Sequence, residues 1–177
     1  MSVEALSGKV FLLVTGASRG IGRQIAITFG SLLEEGSRVL LLARNKDALR
    51  KVASNIPSKV EVYTSSTDLS KSTDVEFQGI GSGQYSSVKA AREMYFKVFA
   101  LENPDANVLS YSPGPVDTDM FTTVCETIAD PEAKKMYIEM RQKKTVLTTE
   151  QTVNRLVQIL KERKYNAADH VDYYDNL

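Results

Sequence analysis

At 177 residues the chain is long enough for one domain with a real core and too short for two comfortable ones. Its 42% hydrophobic and 25% charged residues are those of an ordinary soluble globular protein. Lys plus Arg and Asp plus Glu both number 22, which leaves no net charge and no basic stripe for nucleic acid. The apolar runs are far too short to span a membrane, and no basic region followed by a long apolar core marks a secretion signal. The single cysteine, Cys125, cannot pair within the chain and reads as an inert thiol in a reducing, cytoplasmic setting. No metal is expected.

In chain order, Val10 to Val14 is an unbroken apolar run, the pattern of a buried parallel strand. It leads into Thr15-Gly16-x-x-x-Gly20-x-Gly22, whose glycines mark a tight turn into a helix. Such a turn lets backbone N–H groups and the helix N-terminus approach a pyrophosphate closely. A glycine-rich turn without a ligand would share the spacing, but the strand before it, the helix after it and Arg19 inside it favour the nucleotide. Ile21, Ile25, Ala26, Phe29, Leu32 and Leu33 then recur at helical spacing, and Glu34-Glu35-Gly36 ends that helix. Val39 to Ala43 predicts a second buried strand, and Asn45 caps a helix whose apolar face is Ala48, Leu49, Val52 and Ile56, with Pro57 stopping it. Lys59 to Tyr63 alternates as a third strand. This β-α-β-α-β run is one half of a doubly wound, Rossmann-like parallel sheet of the α/β class.

From Thr64 to Thr73 seven of ten residues are Ser or Thr, the composition of a flexible connection. A helix resumes at Tyr85, with Val88, Ala91, Met94, Tyr95 and Val98 expected on its inner faces. Asn107 to Ser112 predicts a strand stopped by Pro113-Gly114-Pro115. Asp130-Pro131 starts another helix. A last helix from Thr148 or Thr149 carries Val153, Leu156, Val157 and Leu160 inward, and His170 to Tyr174 reads as a closing strand. Tyr85 and Lys89 stand four residues apart, on one face of their helix. A free tyrosine, with a pKa of about 10, is a poor acid at neutral pH, and a nearby ammonium lowers that value. The pair can pass a proton to or from a carbonyl or alcohol oxygen, although an exposed tyrosine beside a solvated lysine has the same spacing.

TGASRGIG, LLARN, YSSVK and PGPVDTDM, in this order, resemble the short-chain dehydrogenase/reductase family over nearly all of the chain. The ARNKDALR, KAAREMYF, LSYSPGPVDTDM and HVDYYD blocks resemble a branch that reduces pterin side-chain ketones in tetrahydrobiopterin synthesis. The resemblance implies a single NADP-binding domain over residues 1–177 and an NADPH-dependent carbonyl reductase of a pterin or another small dicarbonyl. It places the cofactor on Gly16, Ala17, Ser18, Arg19, Gly20, Ile21 and Gly22, with Asp68 and Leu69 bordering the adenine. Arg44, beside Asn45, stands where an acidic residue would bind a free ribose hydroxyl, and with Arg19 it points to a 2′-phosphate. Tyr85 is implied as the acid and Lys89 as its tuning partner and ribose ligand. Val116, Asp117, Thr118, Asp119 and Met120 line the nicotinamide, Gly114 the substrate, and Asp172 anchors the pterin ring.

The chain departs from the family between Asp68 and Tyr85, where an Asn-Asn-Ala-Gly strand end, a long helix and a strand ending in the catalytic serine are expected. Two βα steps are missing from the middle of the sheet, at roughly 30 residues or more for each βαβ unit, as a shortened splice form or a skipped exon would leave. Ser72 stands thirteen residues before Tyr85, the spacing of that serine, but DLSKSTDVEF reads as a loop and helix start, so the spacing is taken as accidental. Losing a hydroxyl that polarises the substrate carbonyl typically costs about 10²–10³ in rate. The competing expectation is therefore a catalytically inactive chain that binds NADP(H), or pairs with a full-length subunit through the Tyr85 helix as in the family's homodimers. A pterin- or nucleotide-binding regulator is a third class with no positive feature of its own.

Overall fold

The computed structural model describes residues 3–67, 82–128 and 130–176, and for 82–88 the backbone alone. Backbone contacts divide the chain into two compact units, Met1–Glu76 with Thr149–Glu162, and Phe77–Thr148 with Arg163–Leu177.

In the first unit a short 3₁₀ turn, Glu4–Leu6, precedes β1 (Phe11–Thr15), α1 (Gly20–Leu32), β2 (Arg38–Ala43), α2 (Lys46–Ala53) and β3 (Glu61–Ser66), joined by α6 (Thr149–Glu162). The strands form a parallel sheet in the order β1-β2-β3, with Leu13 opposite Leu40 and Leu40 opposite Tyr63. Side chains alternate between the two faces of a strand. Val14, Val39 and Leu41 therefore point to one face, where they share a core with Phe29 and Leu33, Leu49 and Val52, and Val153 and Val157 of α6. Leu33, Val39, Leu41 and Leu49 are wholly buried there. On the other face Phe11, Leu13 and Tyr63 are 64%, 50% and 53% exposed. Parallel sheets are ordinarily covered on both sides; among the described residues of this unit the core lies on one. Ser37, also wholly buried, ties the start of β2 to the segment leading into β1: its hydroxyl accepts from Val10 N at 3.1 Å and donates to the Gly8 carbonyl at 3.3 Å.

Asn45 caps α2 as expected, its Oδ1 accepting from Ala48 N at 2.9 Å. The third strand runs later than the alternation suggested. Glu61–Ser66 replaces the expected Lys59–Tyr63, so the start of the Ser/Thr-rich stretch is sheet rather than loop. The reason lies in the ladder: Thr64, Ser65 and Ser66 pair through backbone with Leu41, Leu42 and Ala43, whatever their side chains.

The second unit holds α3 (Ser82–Glu102), β4 (Ser110–Ser112), α4 (Asp119–Thr127), α5 (Pro131–Gln142) and β5 (His170–Asp172). β4 and β5 pair in parallel, and an isolated bridge joins Val116 to Leu147. Both strands are shorter than expected, because Tyr173 and Tyr174 turn away after Asp172 and Asn107 to Leu109 stay irregular. The Asp130 side chain caps α5, accepting from Ala133 N at 2.8 Å, with Pro131 in the first turn. α4 was not foreseen. It is started by Thr118, whose Oγ1 accepts from Phe121 N at 3.4 Å, and it buries Phe121 and Cys125 one turn apart. Phe121 meets the Tyr137 ring of α5 edge-on at 5.8 Å between centroids, with the Arg141 guanidinium 5.3 Å from its own centroid.

The expected inner face of α3 is corrected. Ala91, Met94, Tyr95 and Val98 are all exposed, with Met94 at 60% and Tyr95 at 63%. Helical spacing marks which residues share a stripe, but burial needs a layer to cover it. The side chain of Val88 lies outside the description.

Candidate functional site

In the first unit the parallel register brings the carboxyl ends of β1, β2 and β3 to one edge of the sheet. The glycine turn leaves β1 there, Arg44 and Asn45 leave β2, and Thr67 follows β3 with its N–H donating to the Ala43 carbonyl at 3.0 Å. That edge is where open α/β sheets take their ligands.

Gly16 and Gly20 have φ of +64° and +56°, a left-handed backbone that only glycine adopts without strain. A Cβ on Gly22 would lie 2.5 Å from the Gly16 carbonyl oxygen and 3.2 Å from that of Thr15, so helix and strand approach with no room for a side chain. At Gly16 the corresponding position meets nothing within 4 Å, leaving open space against the turn. Ala17 is wholly buried and fastens the loop to the sheet by donating its N–H to the Leu42 carbonyl at 3.2 Å. Among the described residues no side-chain hydrogen bond caps α1 at Arg19, at the positive end of the helix. Open space, a tight helix–strand approach and an uncapped helix start suit a dinucleotide pyrophosphate. Ser18, Ile21 and Gly22 are partly buried along this turn, while Arg19 and Arg44 are exposed. The Arg44 carbonyl accepts from the Ser66 hydroxyl at 2.8 Å, which holds the loop after β2 against the end of β3. Asn45 spends its carbonyl oxygen on the α2 cap.

In the second unit Tyr85 and Lys89 lie on α3, which begins at Ser82. The Tyr85 side chain lies outside the description, and Lys89 is partly buried. Asp68, Leu69 and Ser72 also fall outside the described residues. Pairing of β4 with β5 sets Gly114 and Asp172 at neighbouring strand ends. Gly114 has φ of +69°, and a Cβ there would lie 3.1 Å from Leu147 and 3.4 Å from the Tyr174 ring. Val116 is buried, and Asp117 N donates to the Leu147 carbonyl at 2.8 Å, so residues 115–118 are strapped to the segment before α6. Asp119 and Met120 open α4 and are exposed. The Asp172 carboxylate accepts from Tyr174 N at 3.0 Å, so one oxygen is fixed by its own turn.

Sequence reasoning missed Leu147, Tyr173 and Tyr174 as the walls around Gly114. It also passed over His170, the chain's only histidine, which alternates with Asp172 on the same strand. Among the described residues no group of three or more His, Cys, Asp or Glu could hold a metal, and no helix is long and apolar enough to cross a membrane.

Residues 10–78 match the family model for short chain dehydrogenase. A sepiapterin reductase of Xenopus laevis is 41% identical over 91 residues, 51% of this chain and 35% of that protein. A sepiapterin reductase of Bos taurus is 40% identical over 95 residues, 54% of this chain and 36% of that protein. Those matches span about a third of each relative's length. The Xenopus tropicalis sepiapterin reductase aligns over 262 positions at 25% identity, taking in 99% of this chain and 100% of its own. Since this chain has 177 residues, it is the shorter partner by a large internal margin. Among solved structures, a short chain dehydrogenases/reductase of Saccharomyces cerevisiae superposes with a TM-score of 0.72 at 17% identity, covering 95% of this chain and 97% of its own. L-sorbose reductase of Gluconobacter frateurii, complexed with NADPH and L-sorbose, gives a TM-score of 0.68 at 18% identity, covering 97% of each chain. Glycine turn, parallel sheet and these likenesses agree: the chain has a Rossmann-like fold, is similar to short chain dehydrogenases over residues 10–78, and is shorter than the sepiapterin reductases it resembles.

Proposed function

We propose that the chain is an NADPH-dependent carbonyl reductase of the sepiapterin reductase type, working as one cytoplasmic domain on a pterin side-chain ketone in tetrahydrobiopterin biosynthesis. The observation that carries the reading is the glycine turn, with its open space at Gly16 and its closed approach at Gly22. In this reading the backbone of Gly16 to Gly22 holds the pyrophosphate, Arg19 and Arg44 pair with a 2′-phosphate, and Asp68 and Leu69 border the adenine. NADPH, when bound, supplies the hydride. Lys89 holds the ribose and favours the phenolate of Tyr85, which gives its proton to the ketone oxygen and is reprotonated from solvent. Val116 to Met120 pack along the nicotinamide, Gly114 leaves the substrate room, and Asp172 orients the pterin through its amino and ring N–H groups.

A second reading has an observation of its own. The sheet face that carries Phe11, Leu13 and Tyr63 is uncovered, as is the Met94–Tyr95 stripe of α3. A chain lacking a layer of its fold would bind NADP(H) or pair with a full-length subunit without turning over. NADPH oxidation with sepiapterin, measured beside Tyr85→Phe, separates the two. Turnover abolished by Tyr85→Phe supports the reductase. A folded chain that is stabilised by NADPH yet never oxidises it supports the second reading.

A further inference from the structure

We propose that Ser112, His170 and Glu93 form a serine acyl-transfer relay that accepts small activated esters, separate from the reductase chemistry. The three are far apart in sequence and are brought together inside the second unit by the pairing of β4 with β5 beside α3. Ser110 is opposite His170 and Ser112 is opposite Asp172, so Ser112 sits two positions along from the histidine's partner, on the same sheet face. The Ser112 hydroxyl lies 3.0 Å from His170 Nε2. On the other side of the ring, Nδ1 lies 3.5 Å from Glu93 Oε2, an ion-pair distance. The remaining carboxylate oxygen, Oε1, is held by Lys97 Nζ at 3.0 Å, one turn along α3.

This order of groups matches the logic of an activated serine: nucleophile, base, and a carboxylate that orients the base. A carboxylate beside Nδ1 favours the tautomer with its proton there, which leaves the Nε2 lone pair for the serine hydroxyl. Glu93 suits that role because the Lys97 hydrogen bond and charge keep its carboxyl below the usual range, with His170 a smaller contributor. Lys97 also fixes the carboxylate's direction by occupying the oxygen that faces away from the ring. Ser112 itself is anchored, since its carbonyl accepts from Tyr173 N at 2.9 Å within the strand pair. Two residues on, Gly114 has a left-handed backbone that turns the chain away after the strand. The His170 side chain is 46% exposed, so a substrate can reach the relay from solvent.

The step balances without any co-reactant but water. Ser112 Oγ bonds to the ester carbonyl carbon while its proton passes to His170 Nε2. The bond to the leaving alkoxide breaks, and that oxygen takes the proton. Water then attacks the acyl-serine with the same base, releasing the carboxylic acid and restoring the hydroxyl.

The test is labelling of the full chain with diisopropyl fluorophosphate, followed by peptide mass mapping; Ser112 would displace fluoride as it displaces an alkoxide. The expected result is one adduct, on Ser112, absent in Ser112→Ala and formed about 10²-fold more slowly or worse in His170→Gln. Glu93→Gln should slow it by a smaller factor, and 8 M urea should abolish it in the unsubstituted chain. Circular dichroism keeps loss of folding distinct from loss of labelling. No adduct on a folded chain, an adduct on another serine, a Ser112 adduct indifferent to His170→Gln, or one that survives urea would each overturn the relay. None of these readouts depends on NADPH.

Discussion

Replacing Gly22 by alanine sets a methyl carbon 2.5 Å from the Gly16 carbonyl oxygen, 3.0 Å from its carbon and 3.2 Å from the Thr15 oxygen. All three atoms are backbone, so no rotamer change relieves the contact; either α1 slides away from the turn or β1 distorts. Overpacking of this kind costs about 1–3 kcal/mol, and a contact with nothing flexible belongs at the upper end. For a chain of this size each kcal/mol lowers Tm by about 2–4 °C, so Gly22→Ala should melt roughly 6–12 °C early. Gly16→Ala offers the contrast: its added carbon meets nothing within 4 Å and suffers only the strain of φ +64°, about 1–2 kcal/mol. Ligand stabilisation reads out the turn directly. NADPH at one hundred times its Kd should add about 2.7 kcal/mol to the unsubstituted chain and much less to Gly22→Ala, whose pyrophosphate donors have moved. Thermal unfolding by circular dichroism, with and without NADPH, measures both effects. A Gly22→Ala chain with unchanged Tm and the full NADPH shift would refute the close-approach argument.

Asn45→Ala removes the α2 cap at Ala48 N and should cost about 0.5–2 kcal/mol in urea unfolding, with Asn45→Asp retaining most of it. Ser37→Ala strips the Val10 N–H of its partner in a wholly buried position, a loss of about 1–3 kcal/mol that Ser37→Thr should not rescue, for want of space. Glu61 has its carboxyl held below 4.5, first by the Tyr63 hydroxyl and then by the Arg38 hydrogen bond and charge. A depressed folded pKa contributes stability that is present above the unfolded value and is lost as pH falls through the folded one. The stability difference between the unsubstituted chain and Glu61→Gln should therefore shrink on acidification below about 4.5; a difference constant from pH 7 to pH 3 would contradict it.

What the sequence made legible was what its own backbone and nearest neighbours decide. The apolar run into Gly16, Gly20 and Gly22 located β1, the turn and α1, because a left-handed φ and a missing Cβ are properties of glycine itself. Asn45 and Asp130 announced their helices because a cap acts within three residues. The end of β3 was hidden, since Thr64 to Ser66 join the sheet through a ladder that composition does not reveal. α4 was hidden too, its threonines and valine being weak helix formers started by Thr118 and held by the burial of Phe121 and Cys125. The stripe on α3 was correctly seen as apolar and wrongly placed inside, because one chain's pattern does not say whether its cover is present. Of the candidate site, the glycine edge was readable; the Ser112–His170–Glu93 cluster was not, as only strand pairing makes neighbours of residues so distant.

Cys125 offers an experimental handle. The chain has no tryptophan and one thiol, and that thiol is buried in α4. Its rate of reaction with an aromatic disulfide reagent is therefore a clock for the opening of the second unit alone, with no probe introduced. Set beside hydrogen exchange at the wholly buried Leu41 of the first unit, that clock tells whether the two halves open together or separately.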